Sequence, residues 1–133
     1  GVADHPVVRQ RIVDTHIRFE VLRFLGYRMQ TALSQGRMPG NEASVMKLAF
    51  ARYMKALTET AIDAGGAHGM LASEEAGDEG IWVRRFLHSP SLRIAGGSDQ
   101  VQANILGERA LGLPPEPRTD KDVPYRELAQ GVR

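Results

Sequence analysis

A pair of glycines followed by hydroxyl, acid and amide side chains is the part of this sequence best suited to chemistry. Gly96 and Gly97 give the backbone unusual freedom, and Ser98 or Asp99 can cap a helix that begins directly after them. Such a helix start presents free N–H groups and the positive end of the helix dipole, with no side chain to block close approach. The stretch therefore predicts a site for an anionic or oxygen-rich ligand, with an ordinary capped helix as the alternative.

The remaining groups that could do chemistry do not form a second site. His5, His16, His68 and His88 lack the spacing of metal ligands, and the sequence contains no cysteine, so we predict no metal site. Residues 64–69 are rich in glycine, but they follow a helix rather than a strand and lack the lysine of a phosphate-binding loop. A nucleoside triphosphate site is therefore not favoured there.

Composition indicates one soluble domain and favours no highly charged partner such as a nucleic acid or an anionic membrane. With 133 residues and a hydrophobic fraction of 42%, the chain can form one core. Its 17 basic and 16 acidic residues give a net charge of +1, which favours neither a nucleic acid nor an anionic membrane as partner. No apolar run approaches the ~20 residues of a membrane helix. We expect a soluble protein, and the absence of cysteine fits the cytoplasm.

The first long segment predicts an amphipathic helix. Asp4 and Pro6 form a favourable opening, since proline costs nothing in the first turn, and Gly36 ends the segment. Apolar or small residues recur in alternating steps of four and three: Val8, Ile12, Thr15, Phe19, Leu22, Gly26, Met29 and Leu33. A second apolar row broadens this face: Val13, Ile17, Val21, Phe24 and Leu25. The predicted helix has about eight turns and must be covered on more than one side.

A second long helix is predicted after a short connector. Residues 37–40 contain two strong helix breakers, and Asn41 or Ser44 can cap the next helix, which ends at Gly65 and Gly66. Because the link is short, the two long helices should pack antiparallel.

The remainder of the chain predicts shorter elements. Residues 67–80 lack periodicity and indicate a mobile loop, residues 81–87 predict a short helix that Ser89 and Pro90 break, and residues 98–111 predict a last helix. No segment alternates with period two, so no strands are expected. The predicted fold is all-α, an up-down helical bundle whose apolar faces exceed what its helices can bury mutually. A missing helix, a partner subunit or both should cover the excess.

The glycine pair lies in a run that resembles a known family. Residues 94–102 (IAGGSDQVQ) and 104–114 (NILGERALGLP) resemble the C-terminal run of acyl-CoA dehydrogenases, most closely that of the actinobacterial branch. Members of this branch commonly have Ile-x-Gly-Gly-Thr-Ser-Glu-Ile-Gln-x-Asn-Ile-Ile-x-Glu-Arg-x-Leu-Gly-Leu-Pro there. Residues 4–11 resemble the family's lead into the second helix of its C-terminal domain. Residues 116–118 and 120–124 resemble its tail.

The resemblance implies a particular domain organisation. In the family, a helical N-terminal domain and a β middle domain precede a C-terminal four-helix bundle that builds dimer and tetramer contacts. By this comparison residues 1–113 form part of the bundle, without its first helix, and residues 114–133 form an extended proline-rich tail. The protein is then expected to be a homo-oligomer, either a dimer or a tetramer, or one subunit of a heteromer.

The resemblance also implies a reaction. Family members use a glutamate to remove the α-proton of an acyl-CoA and pass the β-hydrogen as hydride to FAD, giving the trans-2-enoyl-CoA. Electron-transfer flavoprotein is the expected acceptor. Gly96 occupies the usual glutamate position, so this chain offers no catalytic residue and should be inactive alone. The base then lies on the upstream bundle helix, as in the branch that includes isovaleryl-type enzymes, or in a partner subunit.

Binding residues are carried over from the family position by position. Gly97 matches the glycine beside the acyl thioester, and Gly65 and Gly66 match a turn that contacts FAD from a neighbouring subunit. That turn keeps its glycines here but lacks the family's glutamine, so an ordinary helix C-terminus is the alternative. The triplet that contacts FAD corresponds to Ser98, Asp99 and Gln100.

Two other classes of function remain open. A helical oligomerisation module that has lost redox function is favoured by Gly96, which cannot take a proton. The ligand-binding half of a transcription regulator would need a basic helix-turn-helix, and this sequence contains none. Within the enzyme interpretation the acyl group is also open, since straight, branched and sterol-derived chains are all compatible with the resemblance.

Overall fold

The computed structural model describes residues 2–73, 76, 78–115, 117 and 124. Within these residues the chain forms four α-helices and no strand: α1 (Pro6–Ser34), α2 (Glu42–Gly65), α3 (Ile81–His88) and α4 (Asp99–Ala110). Three 3-10 helices cover Val2–Asp4, His68–Met70 and Ser89–Arg93. The predicted all-α fold is confirmed. Most of the predicted tail, residues 114–133, lies outside the described residues.

The two long helices pack against each other in opposite directions. Arg11 near the start of α1 pairs with Asp63 near the end of α2. The rings of Phe19 and Tyr53, whose centroids are 6.2 Å apart, lie midway along the two helices. Towards the other end, Arg28 Nη2 lies 3.7 Å from Glu42 Oε1. Because one residue number rises as the other falls, the helices are antiparallel, as their short connection predicts.

Small side chains with internally satisfied hydroxyls allow this close packing. Ala51 and Thr58 on α2 are 1% and 0% exposed. Thr58 Oγ1 donates to the carbonyl oxygen of Met54 at 2.8 Å, so its burial leaves no unpaired donor. On α1, Thr15 is also buried and donates to the carbonyl oxygen of Arg11 at 2.9 Å. Threonine therefore serves here as a small core residue.

Helix α2 is the central element, since α1, α3, α4 and the 3-10 helix Ser89–Arg93 all contact it. Pro90 does not simply break the chain after α3 as predicted. It lies in the first turn of the 3-10 helix, where the N–H that proline lacks has no partner to lose. The predicted loop 67–80 likewise contains a 3-10 turn, His68–Met70. These short elements carry the chain from the end of α2 back to the start of α4.

The second apolar row of α1 remains largely exposed. Val13 is 43% exposed, Ile17 55%, Val21 51% and Phe24 58%. In the part of the chain that the structure describes, the buried apolar residues are only Leu22, Ala51 and Ala76. The other described helices therefore leave this second row uncovered, as the width of the predicted faces indicates. No helix among the described residues combines the length and apolarity needed to cross a membrane.

Candidate functional site

The glycine pair forms a turn with positive φ angles between the 3-10 helix Ser89–Arg93 and α4. Gly96 has φ +67° and Gly97 has φ +97°, and L side chains rarely adopt the second value. A Cβ atom added to Gly97 would lie 2.8 Å from Gln102 Nε2, whereas one added to Gly96 would meet nothing within 4 Å. The backbone angle of position 97 therefore favours glycine, and an added Cβ would also require the Gln102 amide to shift. We call residues 96–98 the glycine turn.

Ser98 caps α4. Its backbone is extended, with φ −63° and ψ 163°, and its Oγ accepts a hydrogen bond from the Val101 N–H at 3.3 Å. This geometry satisfies one of the free donors of the first turn. Of the two caps that the sequence allowed, Ser98 is the one used, and Asp99 is the first residue of the helix.

We expect Ser98→Ala to lower the free energy of unfolding by about 1 kcal/mol, because the Val101 N–H loses its acceptor. Ser98→Asn keeps a capping oxygen and serves as the control, with an expected change of a few tenths of a kcal/mol at most. Urea unfolding monitored by circular dichroism measures both. Equal losses in the two variants would show that the cap contributes nothing.

The carbonyl oxygens of both glycines are held by side chains from two different helices. Gln102 Nε2, on α4, donates to the Gly96 carbonyl oxygen at 2.9 Å. Lys47 Nζ, on α2, donates to the Gly97 carbonyl oxygen. Gln102 is 9% exposed and Lys47 has a side chain that is 21% exposed, so both contacts are largely shielded from water.

Asp99 turns its carboxylate into the protein rather than towards a ligand. Its Oδ2 accepts from Arg93 Nε and lies 2.7 Å from both Nε and Nη2 of that guanidinium. Lys47 Nζ lies 4.0 Å from the other carboxylate oxygen, Oδ1. Asp99 is only 7% exposed. A contact of Asp99 with a ligand would therefore have to use its backbone N–H.

Three consecutive backbone donors lie at the start of α4. The N–H groups of Ser98, Asp99 and Gln100 donate no hydrogen bond to the described part of the chain. They lie at the positive end of the α4 dipole, where anions and electron-rich oxygens bind favourably. The side chain of Gln100 is exposed. The three residues predicted as one ligand-contacting group thus do share one set of free donors.

The structure does not bring Gly65 and Gly66 to the glycine turn. Gly65 ends α2, and Gly66 caps it with φ 56° and ψ −131°, donating its N–H to the Asp63 carbonyl oxygen at 3.2 Å. Lys47, which contacts the glycine turn, is near the beginning of α2 and lies about 27 Å from Gly65 along the helix axis at a rise of 1.5 Å per residue. The two glycine pairs cannot form one compact site within a single chain.

Three residues that hold the turn were not singled out from the sequence. Gln102 lies within the run that carries the resemblance, but nothing in its spacing indicated that it bonds to Gly96. Lys47 is 50 residues from its partner Gly97, and Arg93 reaches Asp99 across the turn. Such contacts depend on the tertiary fold and leave no local signal.

The sequence matches a known family over most of its length. The family described as "Acyl-CoA dehydrogenase, C-terminal domain" matches residues 1–111. This chain therefore belongs to the acyl-CoA dehydrogenase family through its C-terminal domain, which confirms the resemblance.

Curated relatives are of mycobacterial origin. The chain is 36% identical over 116 residues to acyl-CoA dehydrogenase IpdE1 of Mycolicibacterium smegmatis, which covers 87% of this chain and 28% of that protein. IpdE1 of Mycobacterium tuberculosis is 33% identical over 116 residues, covering 87% and 29%. Acyl-CoA dehydrogenase FadE34 of the same organism is 35% identical over 79 residues, covering 59% and 10%. The chain thus spans less than a third of the length of these relatives.

A solved structure has the same arrangement of helices. The protein named "Tcur3481-Tcur3483 steroid ACAD" superposes with a TM-score of 0.79 at 23% sequence identity, over 87% of this chain and 31% of that one. At this level of identity the likeness supports the fold, and it agrees with the helical bundle described above.

Proposed function

We propose that this chain is the C-terminal bundle portion of an FAD-dependent acyl-CoA dehydrogenase, and that the glycine turn with the start of α4 forms part of its FAD site. The observation that carries the proposal is the set of free N–H groups at Ser98, Asp99 and Gln100, at a helix start in a member of this family. These donors suit the carbonyl and phosphate oxygens of FAD, and no Cβ covers Gly96 or Gly97.

When bound, FAD supplies the acceptor for a hydride from the β-carbon of an acyl thioester. This chain's contribution is to bind and orient. Ser98, Asp99 and Gln100 would hold cofactor oxygens through their backbone N–H groups. Gly97, which carries no side chain, would let the acyl thioester come close to the turn, as its match to the family's substrate-binding glycine implies.

The base that removes the α-proton is proposed to lie outside this chain, on another helix of the whole protein or on a partner subunit. Gly96 has no side chain and cannot take a proton. Asp99 is the nearest carboxylate in sequence, but its oxygens are engaged by Arg93 and Lys47. A carboxylate so held is poorly placed to reach a substrate carbon. The chain alone is therefore proposed to be inactive.

Two features support an oligomer in which subunits share the cofactor. The second apolar row of α1 is exposed over Val13, Ile17, Val21 and Phe24, which suits a protein interface. The two predicted FAD contacts, the glycine turn and the Gly65-Gly66 pair, lie at opposite ends of α2. We propose that Gly65 and Gly66 contact the FAD of a neighbouring subunit, in a homo-oligomer or a heteromer. Electron-transfer flavoprotein is the proposed electron acceptor.

The substrate is proposed to be an acyl-CoA thioester, and a steroid-derived acyl group is one candidate because the solved relative is named a steroid enzyme. The test uses the full-length protein that contains this chain, purified with any subunit that copurifies. We expect the preparation to carry a flavin absorption band and to lose it on anaerobic addition of a suitable straight-chain, branched or steroid-derived acyl-CoA. The corresponding free acid is the control and should leave the band unchanged.

A second candidate function is a non-catalytic helical module for oligomerisation. Gly96 favours it, since the position that usually carries the catalytic glutamate has no side chain here and cannot take a proton. A colourless full-length protein that does not take up added FAD would support this module and contradict the enzyme proposal.

A further inference from the structure

The peptide group between Gly97 and Ser98 has its two polar ends on opposite sides. Its carbonyl oxygen accepts from Lys47 Nζ on α2. In a trans peptide the C=O and the following N–H point in opposite directions, and none of the described peptide bonds is cis. The Ser98 N–H therefore points away from Lys47 and α2. A side chain distant in sequence thus contacts the peptide group that carries one of the three donors.

A glycine at this position makes such a restraint necessary. Gly97 has φ +97°, and a residue without Cβ can rotate its peptide groups with little steric resistance. If the Gly97-Ser98 peptide turned over, the Ser98 N–H would face α2 and a carbonyl oxygen would replace it on the ligand side. A carbonyl repels the oxygens that the free N–H groups attract. Holding the peptide in one orientation is therefore a condition for binding.

The charged groups around Lys47 support a structural role for its contact with the Gly97 carbonyl oxygen. Lys47 Nζ is 4.0 Å from Asp99 Oδ1, and Arg93 holds Oδ2 of the same carboxylate. Among the described residues, Asp99 Oδ1 and Gln102 Oε1 are buried and accept no hydrogen bond, so Asp99 Oδ1 has the ion pair with Lys47 as its contact. Both side chains thus leave a hydrogen-bond acceptor unfilled while their other contacts hold the turn. Buried unpaired acceptors are rare in folded proteins.

Resting on the proposed function, we infer that Lys47 is a positioning residue, which fixes the Gly97-Ser98 peptide so that the Ser98 N–H faces FAD. Gln102 assists from the other side by holding the Gly96 carbonyl oxygen at 2.9 Å. Lys47 touches neither FAD nor substrate in this account. It acts through the orientation of the glycine turn.

The test replaces Lys47 by methionine in the full-length protein that contains this chain. Lys55→Met is the matched control, because Lys55 lies on the same helix, has a side chain that is 46% exposed and pairs with Glu59 instead of the turn. We expect Lys47→Met to raise the dissociation constant of FAD about tenfold, because without the charge-assisted hydrogen bond only about a tenth of the molecules would hold the Gly97-Ser98 peptide in the binding orientation. Lys55→Met should leave the constant unchanged, and Lys47→Arg, which keeps a charged donor, should restore most of the affinity.

A crystal structure of Lys47→Met provides a readout that does not depend on FAD. It is expected to show the Gly97 carbonyl rotated from its wild-type direction or in two orientations. If wild-type protein binds no FAD, the proposed function fails, and the structures still decide whether Lys47 fixes the turn. If wild type binds FAD and Lys47→Met binds it equally with an unchanged turn, the positioning role is wrong and the proposed function stands. Lys47→Ala is the second variant if Lys47→Met does not fold, because alanine suits a helix and also removes the donor. It should free the Gly97 carbonyl oxygen and weaken FAD binding, and an unchanged turn with equal FAD binding would overturn the proposal.

Discussion

Gly97→Ala is expected to lower the free energy of unfolding by about 2–3 kcal/mol, while Gly96→Ala costs about 1 kcal/mol. The two glycines are adjacent, and both have positive φ. The difference between the two losses of unfolding free energy therefore reports the φ value and the surroundings of each glycine. Gly96, at φ +67°, lies where L residues are tolerated, and an added Cβ meets open space. Gly97, at φ +97°, lies outside that region.

The added Cβ at position 97 also meets Gln102. It would lie 2.8 Å from Gln102 Nε2, closer than real Cβ contacts, so the flexible amide must shift and its bond to the Gly96 carbonyl oxygen weakens. Gly97→Ala should therefore reduce FAD affinity far more than Gly96→Ala. Urea unfolding and flavin fluorescence titration measure the two effects. Identical losses for the two variants would mean that the turn does not have the described geometry.

Asp99→Ala is the second change with a large expected effect, about 2–3 kcal/mol of destabilisation. Asp99 is 7% exposed and carries the countercharge for Arg93 and Lys47. Removing it leaves the partly buried ammonium of Lys47 without a countercharge, although its hydrogen bond to the Gly97 carbonyl oxygen remains. The expected loss is placed below the about 3–5 kcal/mol of fully buried pairs because the Arg93 side chain is 43% exposed and regains water.

Asp14→Ala is the matched control for this prediction. Asp14 pairs with Arg18 one turn further along α1, at 2.7 Å, and the two side chains are 52% and 46% exposed. Exposed pairs of this kind contribute about 0.3–0.5 kcal/mol. Thermal and urea unfolding compare the variants. A loss at Asp99 no larger than that at Asp14 would show that the Arg93, Asp99 and Lys47 cluster does not hold the start of α4.

The long helices and the cap of α4 could be predicted because their signals are local. Steps of four and three define α1 and α2, Pro6 and Gly36 mark the limits of the first, and a serine three residues before Val101 suits a cap. The depth of burial could not be predicted. Thr15 and Leu22 are buried, whereas Phe19 and Leu33 in the same row are 46% and 54% exposed, because burial depends on which partner helix lies opposite.

The sequence predicted the position of the glycine turn but not the side-chain contacts that fix its geometry. Two glycines before a capped helix indicate free N–H groups from local sequence alone. The inward direction of the Asp99 carboxylate, however, follows from Arg93, which the turn folds back to within 2.7 Å. The hydrogen bond from Lys47 to the Gly97 carbonyl oxygen follows from the packing of α4 on α2. Neither contact follows a fixed spacing along the chain, so neither could be predicted from the sequence.

Hydrogen–deuterium exchange with and without FAD tests the central claim most directly, in the full-length protein that contains this chain. Because the N–H groups of Ser98, Asp99 and Gln100 have no acceptor in the described chain, they should exchange fast in the absence of cofactor. We predict that FAD slows exchange in peptides covering residues 96–102, while peptides within residues 27–37 are unaffected. FAD that binds and slows exchange elsewhere, but leaves residues 96–102 unchanged, would contradict the assignment of this turn to the cofactor site.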